Sequence, residues 1–244
     1  MKKKLSIILS IAILIVLTAC GNNDIAIDEF ILLERSNEKL SSADSYHARF
    51  SQDFFVSTFG FGSVVDIDGE VFIEAPLSDT PRFKSLINAH FLDVSLQTTT
   101  YFHEGNMYVI DHQSDEITVT SIDKNEVLKG FESNLINTLL QEEQIITSSY
   151  SMTENNGFIL EFELNHLAIV DVLETQGELI EIENIRSGSF TLLIYLDESY
   201  QQTDVHLHIE LSHNRQQIEI ETIVLVKHVE FLQINNVRFN HPLE

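Results

Sequence analysis

The sequence has only one cysteine, Cys20, and few residues that interrupt secondary structure, with three prolines and nine glycines in 244 residues. A single cysteine excludes an internal disulfide, so the stability of the fold has to come from its core. The scarcity of proline and glycine, together with the lack of a Ser/Gly/Pro-rich run, leaves no segment that would serve as an interdomain linker. The sequence therefore favours one large domain over two small ones.

Positive charge is scarce too, since 14 Lys and Arg stand against 38 Asp and Glu and the formal net charge is −24. Nucleic acids and anionic lipid headgroups are bound through basic patches, so this composition excludes both as electrostatic partners. The simplest interpretation is an acidic, well-hydrated surface. The alternative, a specific basic partner, has no acidic block in the sequence to mark its docking site.

Motifs of the common enzyme classes are missing from the sequence. There is no G-x-S-x-G, no H-E-x-x-H, no Walker-type loop and no cysteine placed as a nucleophile. The many carboxylates show no spacing that selects a glycosidase pair. We therefore predict a protein that is not an enzyme and has no cofactor.

The N-terminus combines a charged, an apolar and a small-residue segment. Three lysines at positions 2–4 precede the apolar run 5–17, which ends in Leu17-Thr18-Ala19-Cys20. This run is shorter than the about 20 residues that span a bilayer, and its three parts are those of a secretory signal. The last four residues resemble the lipobox of bacterial lipoproteins. That resemblance implies that 1–19 is a signal peptide and that Cys20 is the lipid-attachment residue.

The lipobox interpretation also predicts where the protein resides. Residues 20–26 form the lipid anchor and a short tether, and a single domain spans 27–244. We expect the protein at the extracytoplasmic face of the cell membrane, with the lipid on Cys20 as its contact with that membrane. Two alternatives stay open, an uncleaved N-terminal anchor and an ordinary signal peptide in which the cysteine is incidental.

Hydrophobic periodicity predicts a chain in which strands outnumber helices. An amphipathic helix is predicted over 27–43, strands over 46–56 and 71–75, and hairpins at 101–110 and at Asn155-Asn156-Gly157. Two further helices are predicted, a capped helix from Asp123 to Leu139 with Phe131 and Leu135 on its apolar face and a short helix after Asn165. Further strands are predicted over 189–197, 203–212, 217–231 and 231–239. This order is unlike the βαβ alternation of a parallel sheet, so we predict an α+β fold that is mainly antiparallel.

Four segments carry a resemblance to a known group of proteins. They are the helix at 27–43 with Ser45-Tyr46-His47-Ala48, the segment 68–76, the hairpin Gly105-Asn106-Met107-Tyr108-Val109 and the closing Phe239-Asn240-His241-Pro242. In order and spacing they resemble uncharacterised Gram-positive lipoproteins, a group similar to the LolA/LppX superfamily of lipoprotein carriers. The resemblance implies a strongly curved antiparallel half-barrel whose concave face is covered by helices. It also implies an apolar cavity for acyl chains between sheet and helices.

Aromatic side chains are the candidates for lining such a cavity. The five that we select are Phe50, Phe54, Phe72, Phe102 and Phe162. Aromatic residues on strands also form ordinary core, so both interpretations stay open. A pocket between two apolar layers would favour ligand contact.

Two motifs contain groups that bind cations. Asp204, His206, His208 and Glu210 alternate along one predicted strand, so His206 and His208 are weak candidates for zinc ligands. Side chains in a flat row rarely surround one ion tetrahedrally. We therefore prefer the interpretation that this face of the strand is exposed to solvent, and we predict no metal site. Residues 66–70 have part of the spacing of a calcium loop but lack its distal glutamate, so a turn between strands explains them better.

Together these patterns predict a membrane-anchored extracytoplasmic lipoprotein that binds a lipid or other apolar ligand between sheet and helices. The alternative is a non-enzymatic interaction or sensory module of the cell envelope, with a filled core and an envelope protein as its partner. A continuous cavity would favour the first hypothesis, and a filled interior with an exposed apolar patch would favour the second.

Overall fold

The computed structural model describes residues 28–58, 61–76, 78–127, 142–175, 182–215 and 219–240. Eleven strands of this part of the chain form one sheet, and every pairing in it is antiparallel. The strands are β1 Ser45–Thr58, β2 Phe61–Glu74, β3 Arg82–Phe91, β4 Val94–His103, β5 Asn106–Asp111, β6 Glu116–Ser121, β7 Ile145–Met152, β8 Phe158–Leu164, β9 Ile185–Leu196, β10 Gln202–Arg215 and β11 Glu219–Ile234. The predicted antiparallel sheet is therefore confirmed.

The described residues contain few helical segments. They are α1 Glu29–Ser41, α2 His166–Thr175, the 3₁₀ turns Glu142–Gln144 and Ile182–Asn184, and the helical residues 124–127. Within the described ranges, no helix combines the length and the hydropathy that crossing a bilayer requires.

The sheet consists of two meanders that meet in its middle. Its strand order is β6-β5-β4-β3-β2-β1-β11-β10-β9-β8-β7. The pairing of β1 with β11 joins the two meanders, and it extends from Tyr46 opposite Ile234 to Thr58 opposite Glu221. Strands β6 and β7 are the two edges, and no described strand pairs one with the other, so the sheet is open.

Strand alternation gives the sheet one apolar and one polar face. Phe50 on β1 lies opposite Val229 on β11, which lies opposite Val205 on β10, and all three side chains are buried. We call this side the apolar face. The next residue pair along β1 and β11 is Arg49 opposite Glu230, which lies on the other side, called the polar face. The alternation predicted for Tyr46 to Val56 is confirmed.

Helix α1 packs on the β7–β8 side of the apolar face. The ring of Phe30 lies 6.3 Å from the ring of Phe162 on β8, in an edge-to-face arrangement. The Ser148 hydroxyl of β7 donates a hydrogen bond to the carboxylate of Glu29 at the start of the helix. The helix predicted over 27–43 is thus confirmed over Glu29–Ser41.

Helix α2 packs on β9, at the same side of the sheet. The side-chain oxygen of Asn165 accepts hydrogen bonds from the backbone N–H groups of Leu167 and Ala168, which caps the helix start. A Cβ atom on Gly188 of β9 would lie 3.0 Å from the Cδ1 atom of Ile169, so glycine permits this close approach. The short helix predicted after Asn165 is confirmed.

The two predicted hairpins are confirmed as β4–β5 and β7–β8. Glu104 and Gly105 connect β4 to β5 with φ values of 49° and 76°, and Asn156 turns the second hairpin with φ 59°. Glycine and asparagine tolerate the left-handed conformation that tight hairpins require, and Glu104 adopts it beside Gly105. The turn chemistry visible in the sequence therefore located both hairpins.

Two local predictions are wrong. Residues 66–70 do not form a turn, because they lie in the middle of β2 and pair with β1 and β3 on either side. The C-terminal residues 231–239 do not form a separate strand either. Strand β11 continues to Ile234 and ends where Asn235 and Asn236 adopt φ values of 65° and 60°.

Other predictions fall outside the described residues. Of the helix expected from Asp123 to Leu139, only residues 124–127 are described, so Phe131, Leu135 and Leu139 stay predictions. The signal peptide 1–19, Cys20 and the tether also lie outside the described ranges.

Candidate functional site

Part of the apolar face is exposed, at the ends of β2, β3 and β4. Phe91 is 43% exposed, Val94 52% and Leu96 49%, and Phe61 at the start of β2 is 84% exposed. Cross-strand pairing places Phe91 opposite both Val94 and Val65, so these three side chains are neighbours on one side of the sheet. Phe61 lies on the same side, four residues from Val65 along β2. We call Phe61, Phe91, Val94 and Leu96 the apolar tip.

A half-buried row connects the apolar tip with the core. It consists of Phe54, Val65, Ile67, Ile87 and Ala89 on strands β1, β2 and β3. Phe54, Ile67 and Ile87 pack against the buried core, and Val65 lies opposite both Phe54 and Phe91. The apolar face is therefore continuous from the buried centre of the sheet to its exposed end.

The five candidate phenylalanines do not form one surface. Phe50, Phe102 and Phe162 lie on the apolar face and are 3%, 2% and 0% exposed, whereas Phe54 is half-buried in the row beside the apolar tip. Phe72 lies on the polar face, where its ring stacks on His47 at a centroid distance of 4.0 Å. Grouping Phe72 with the others is therefore wrong.

The reason for the error is the run Val71-Phe72-Ile73, which is apolar at every position and hides the alternation of the strand. Ile73 and Val71 are fully buried, so they identify the apolar face of β2. Phe72 lies between them in sequence and points to the other side.

A lysine lies within the apolar face as well. Lys227 on β11 is 3% exposed and lies opposite Gln52 on β1 and Leu207 on β10. Burial lowers the pKa of Lys227 to about 8, because removing an ammonium group from water disfavours its charged form. The middle of the apolar face thus holds one titratable amine.

The polar face contains a groove of about 280 Å³. Its polar lining includes Arg49, Ser51, Asp68, Glu70, Asn88, Gln97, His228 and Glu230. The Arg49 guanidinium lies 3.3 Å from the carboxylate of Glu230 and 3.7 Å from that of Glu70. These ion pairs hold the charged side chains across three strands, so the groove presents fixed polar groups.

Beside this groove, three potential metal ligands converge from β10 and β11. The ligand atoms of Asp204, His206 and His228 all lie within 4.8 Å of one another. His228 Nε2 lies 3.0 Å from Asp204 Oδ1, and the two imidazole rings are 4.3 Å apart between centroids. Asp204 and His228 keep 34% and 42% of their side-chain surface exposed.

The electrostatic surroundings favour the neutral form of His206. Burial lowers the pKa of His206 first, the neighbouring His228 lowers it further, and the Asp204 carboxylate raises it in part. The ring of Tyr195 on β9 packs against His206 at 5.1 Å and limits its movement. A neutral imidazole can offer a nitrogen lone pair to a ligand.

The predicted zinc row is only partly reflected in this cluster. His206 is a member, but His208 is exposed and lies opposite Val226, away from the other two ligands. His228 was missed by sequence reasoning, because its position opposite His206 depends on the register of β10 against β11. The one usable signal was strand alternation, because apolar Leu225 and Val229 lie on one face of β11 and therefore put His228 on the other.

No family model and no curated protein sequence matches the chain. Solved structures with a similar fold include LprF from Mycobacterium bovis, at 10% identity and a TM-score of 0.41, covering 86% of this chain and 95% of that one. A putative outer membrane lipoprotein-sorting protein domain from Vibrio parahaemolyticus has 11% identity and a TM-score of 0.25, covering 87% and 93%. A DUF1329 family protein from Desulfovibrio piger has 10% identity and a TM-score of 0.25, also covering 87% and 93%.

One of these neighbours is of the lipoprotein-sorting kind that the sequence resemblance names. With TM-scores of 0.41 and below, they carry no argument about what this chain binds. The functional conclusion therefore depends on the residues of the chain itself.

Proposed function

We propose that the chain is an extracytoplasmic lipoprotein that binds a lipid or other apolar ligand on the apolar face of a curved sheet. In this proposal residues 1–19 are a signal peptide, Cys20 carries the membrane lipid, 20–26 are the tether and 27–244 form one domain. Helices cover the concave face, and the ligand lies between them and the strands. The observation that carries the proposal is the apolar tip with the half-buried row behind it.

Exposed apolar surface of this kind has an energetic consequence. Fully burying a large apolar side chain contributes roughly 1.5–3 kcal/mol, so covering the four side chains of the apolar tip offers roughly 4 kcal/mol before the cost of association. The four are 43% to 84% exposed. An exposed apolar patch serves a partner protein as well as a ligand or a lipid surface. We prefer the ligand because the half-buried row continues the apolar tip into the core of the apolar face.

The direction of α1 supports a ligand site that faces the membrane. The helix starts with Glu29 beside Ser148, which lies midway along edge strand β7. Further along the helix, Asn37 accepts a hydrogen bond from Gln202 at the start of β10, which lies at the same end of the sheet as the start of β1. Its N-terminus therefore points toward the sheet end that carries the apolar tip. Eight steps separate Cys20 from Asp28, which at about 3.3–3.6 Å per residue span under about 30 Å.

The binding test uses a full-length Cys20→Ala chain, secreted in soluble form, titrated with a fluorescent fatty acid. Leu96→Asp places a charge in the apolar tip, and we expect it to weaken probe binding by about tenfold, equal to about 1.4 kcal/mol. Ile117→Asp is the matched control, because Ile117 is 58% exposed but belongs to edge strand β6. Register places Ile117 on the polar face, so its variant should bind the probe normally.

Two results would contradict the proposal. One is a chain that takes up no probe at all, and the other is an equal loss of affinity in Leu96→Asp and Ile117→Asp. Thermal melting of both variants confirms that each is folded before its affinity is compared.

A second candidate function is a non-enzymatic interaction or sensory module of the envelope. The observation that favours it is edge strand β6, whose residues are all exposed and include Ile117 and Val119 at 58% and 55%. An exposed edge can accept a strand from a partner protein. A chain that binds no apolar probe would move our preference to this candidate.

A further inference from the structure

Register brings two histidines face to face on the polar side of the sheet. His206 on β10 lies directly opposite His228 on β11, and such cross-strand neighbours have Cβ atoms about 4.5–5.5 Å apart. Asp204 precedes His206 by two residues and therefore shares its face, with its carboxylate 3.0 Å from His228 Nε2. Three ligand-type side chains thus meet at one point, although only two of them are close in sequence.

The spacing of the three groups suits a tetrahedral ion. Zinc binds imidazole nitrogen and carboxylate oxygen at about 2.0–2.2 Å, which places the ligand atoms of a tetrahedral site about 3.3 Å from one another. The ligand atoms here lie within 4.8 Å of one another, and one pair is already at 3.0 Å. To bring all three to one ion, the longest of these separations has to shorten by at most about 1.5 Å.

The chemistry of the donors selects the class of ion. Two imidazoles and one carboxylate match zinc and its neighbours among the divalent transition metals, whereas calcium and magnesium prefer oxygen ligands. We propose that Asp204, His206 and His228 form a binding site for a divalent transition metal ion, with zinc as the best fit. Three protein ligands leave a fourth position for water or a ligand group.

The surrounding charges are compatible with a bound cation. Glu230 lies opposite Asp204, and the only basic side chain in contact with Glu230 among the described ion pairs is Arg49, on the far side of β11. Arg49 forms ion pairs with both Glu230 and Glu70, so these carboxylates partly neutralise its charge and weaken its repulsion of a cation at the site. The strongly acidic chain, with a formal charge of −24, adds a general attraction for cations.

The plain alternative is a hydrogen-bonded surface cluster without a metal. In that arrangement His228 donates to Asp204, and His206 is held by packing against Tyr195 and His228. The two interpretations differ in one measurable respect: only a metal site binds one ion per chain and loses it when any one of the three ligands is removed. Because the cluster lies on the polar face, metal binding is independent of the apolar ligand proposed above.

The test is a zinc titration of the full-length chain, purified in detergent without a histidine tag and freed of metal with a chelator. Calorimetry measures stoichiometry and affinity, and cobalt substitution reports tetrahedral geometry through its visible spectrum. We expect about one zinc ion per chain and a rise in melting temperature on binding. Asp204→Asn and His228→Ala should each abolish stoichiometric binding, and Asp204→Asn keeps the size of the side chain so that folding is preserved.

His208→Ala is the matched control, because His208 lies on the same strand and the same face but outside the cluster. It should bind zinc like the unmodified chain. The proposal is overturned if the unmodified chain binds no zinc, if zinc binds at several weak sites that Asp204→Asn leaves unchanged, or if His208→Ala lowers the affinity as much as His228→Ala.

Discussion

At the scale of single residues, Lys227 shows how a charge in the apolar face affects stability. Its ammonium group is 3% exposed and its pKa is lowered from 10.5 to about 8 by burial. Each unit of pKa shift corresponds to about 1.4 kcal/mol, so burying the charged form costs about 3 kcal/mol below pH 8. This unfavourable contribution arises in the middle of the sheet, where Lys227 lies between Gln52 on β1 and Leu207 on β10.

The sign of the pH dependence follows from the lowered pKa. Between about pH 8 and 10.5 the unfolded chain binds more protons at Lys227 than the folded chain does, so the free energy of unfolding rises with pH across this window. Replacing the lysine by methionine removes the buried charge. We expect Lys227→Met to be about 1–3 kcal/mol more stable at pH 7 and to lose this rise, measured by urea unfolding from pH 7 to 10.5.

Lys84→Met provides the comparison, since Lys84 lies on the polar face beside the ring of Phe72. That variant should keep the alkaline rise. A Lys227→Met chain that is less stable at pH 7, with a pH profile parallel to that of the unmodified chain, would contradict the assignment of the charge to Lys227.

Residue patterns in the sequence predicted part of the candidate site. The alternation of Phe50 and Phe54 put both on the apolar face, and the row from Asp204 to Glu210 put His206 on the polar face. The partner His228 was not predictable, because nothing local to β10 states which residue of β11 lies opposite. Convergence of side chains from different strands depends on register, which is a property of the folded sheet.

At the scale of elements, the buried carboxylate of Glu74 joins the end of β2 to β3 and to the C-terminal segment. Its Oε2 atom accepts from Arg82 Nη1 at 3.2 Å, and its Oε1 atom accepts from the backbone N–H of Phe239 at 2.9 Å. The backbone N–H of Val237 also donates to Ser45 Oγ at 2.9 Å, so the segment after β11 is held by side chains.

This arrangement predicts the effect of removing the carboxylate. We expect Glu74→Ala to lower the free energy of unfolding by about 3 kcal/mol, because Arg82 and the Phe239 N–H lose a buried acceptor. Hydrogen exchange at the Phe239 amide should become faster in the same variant. Glu104→Ala is the control, because Glu104 is 75% exposed in a turn, and equal losses of stability in the two variants would contradict the role of Glu74.

Elements were predicted best where turn chemistry or caps mark their ends. The hairpin turns at Gly105 and Asn156 and the helix after Asn165 are examples, since each depends on one local residue type. The end of β11 was misplaced because the apolar residues from Phe231 to Phe239 continue a strand-like pattern past Asn235 and Asn236. Two consecutive asparagines with positive φ decide that end, and asparagine also occurs within strands.

At the scale of the whole molecule, α1 and α2 pack on the apolar face of the open sheet at strands β7, β8 and β9, and the apolar tip is the exposed end of that face. The sequence predicted the antiparallel class and one sheet, but it could not predict the pairing of β1 with β11 that joins the two meanders. That pairing links residues about as far apart as the described chain allows, and long-range strand order is not encoded in local periodicity.

The proposed anchor makes a prediction for the protein in cells. Replacing the single cysteine removes the lipid-attachment site, so Cys20→Ala should move the protein from the membrane fraction to the soluble fraction. Cell fractionation with and without detergent measures the change. A Cys20→Ser chain provides an independent comparison and should behave in the same way, whereas continued detergent-dependent extraction of both variants would show that another segment anchors the chain.

Native mass spectrometry of the membrane-bound protein is the direct test of whether the apolar face holds an apolar ligand. The chain is purified from its own membranes and then extracted with organic solvent to identify what is released. We predict one defined lipid, bound non-covalently at about one per chain, and its loss in the Leu96→Asp variant but not in Ile117→Asp. A chain that stays empty, even after incubation with membrane extract, would show that the apolar face is not a lipid-binding site.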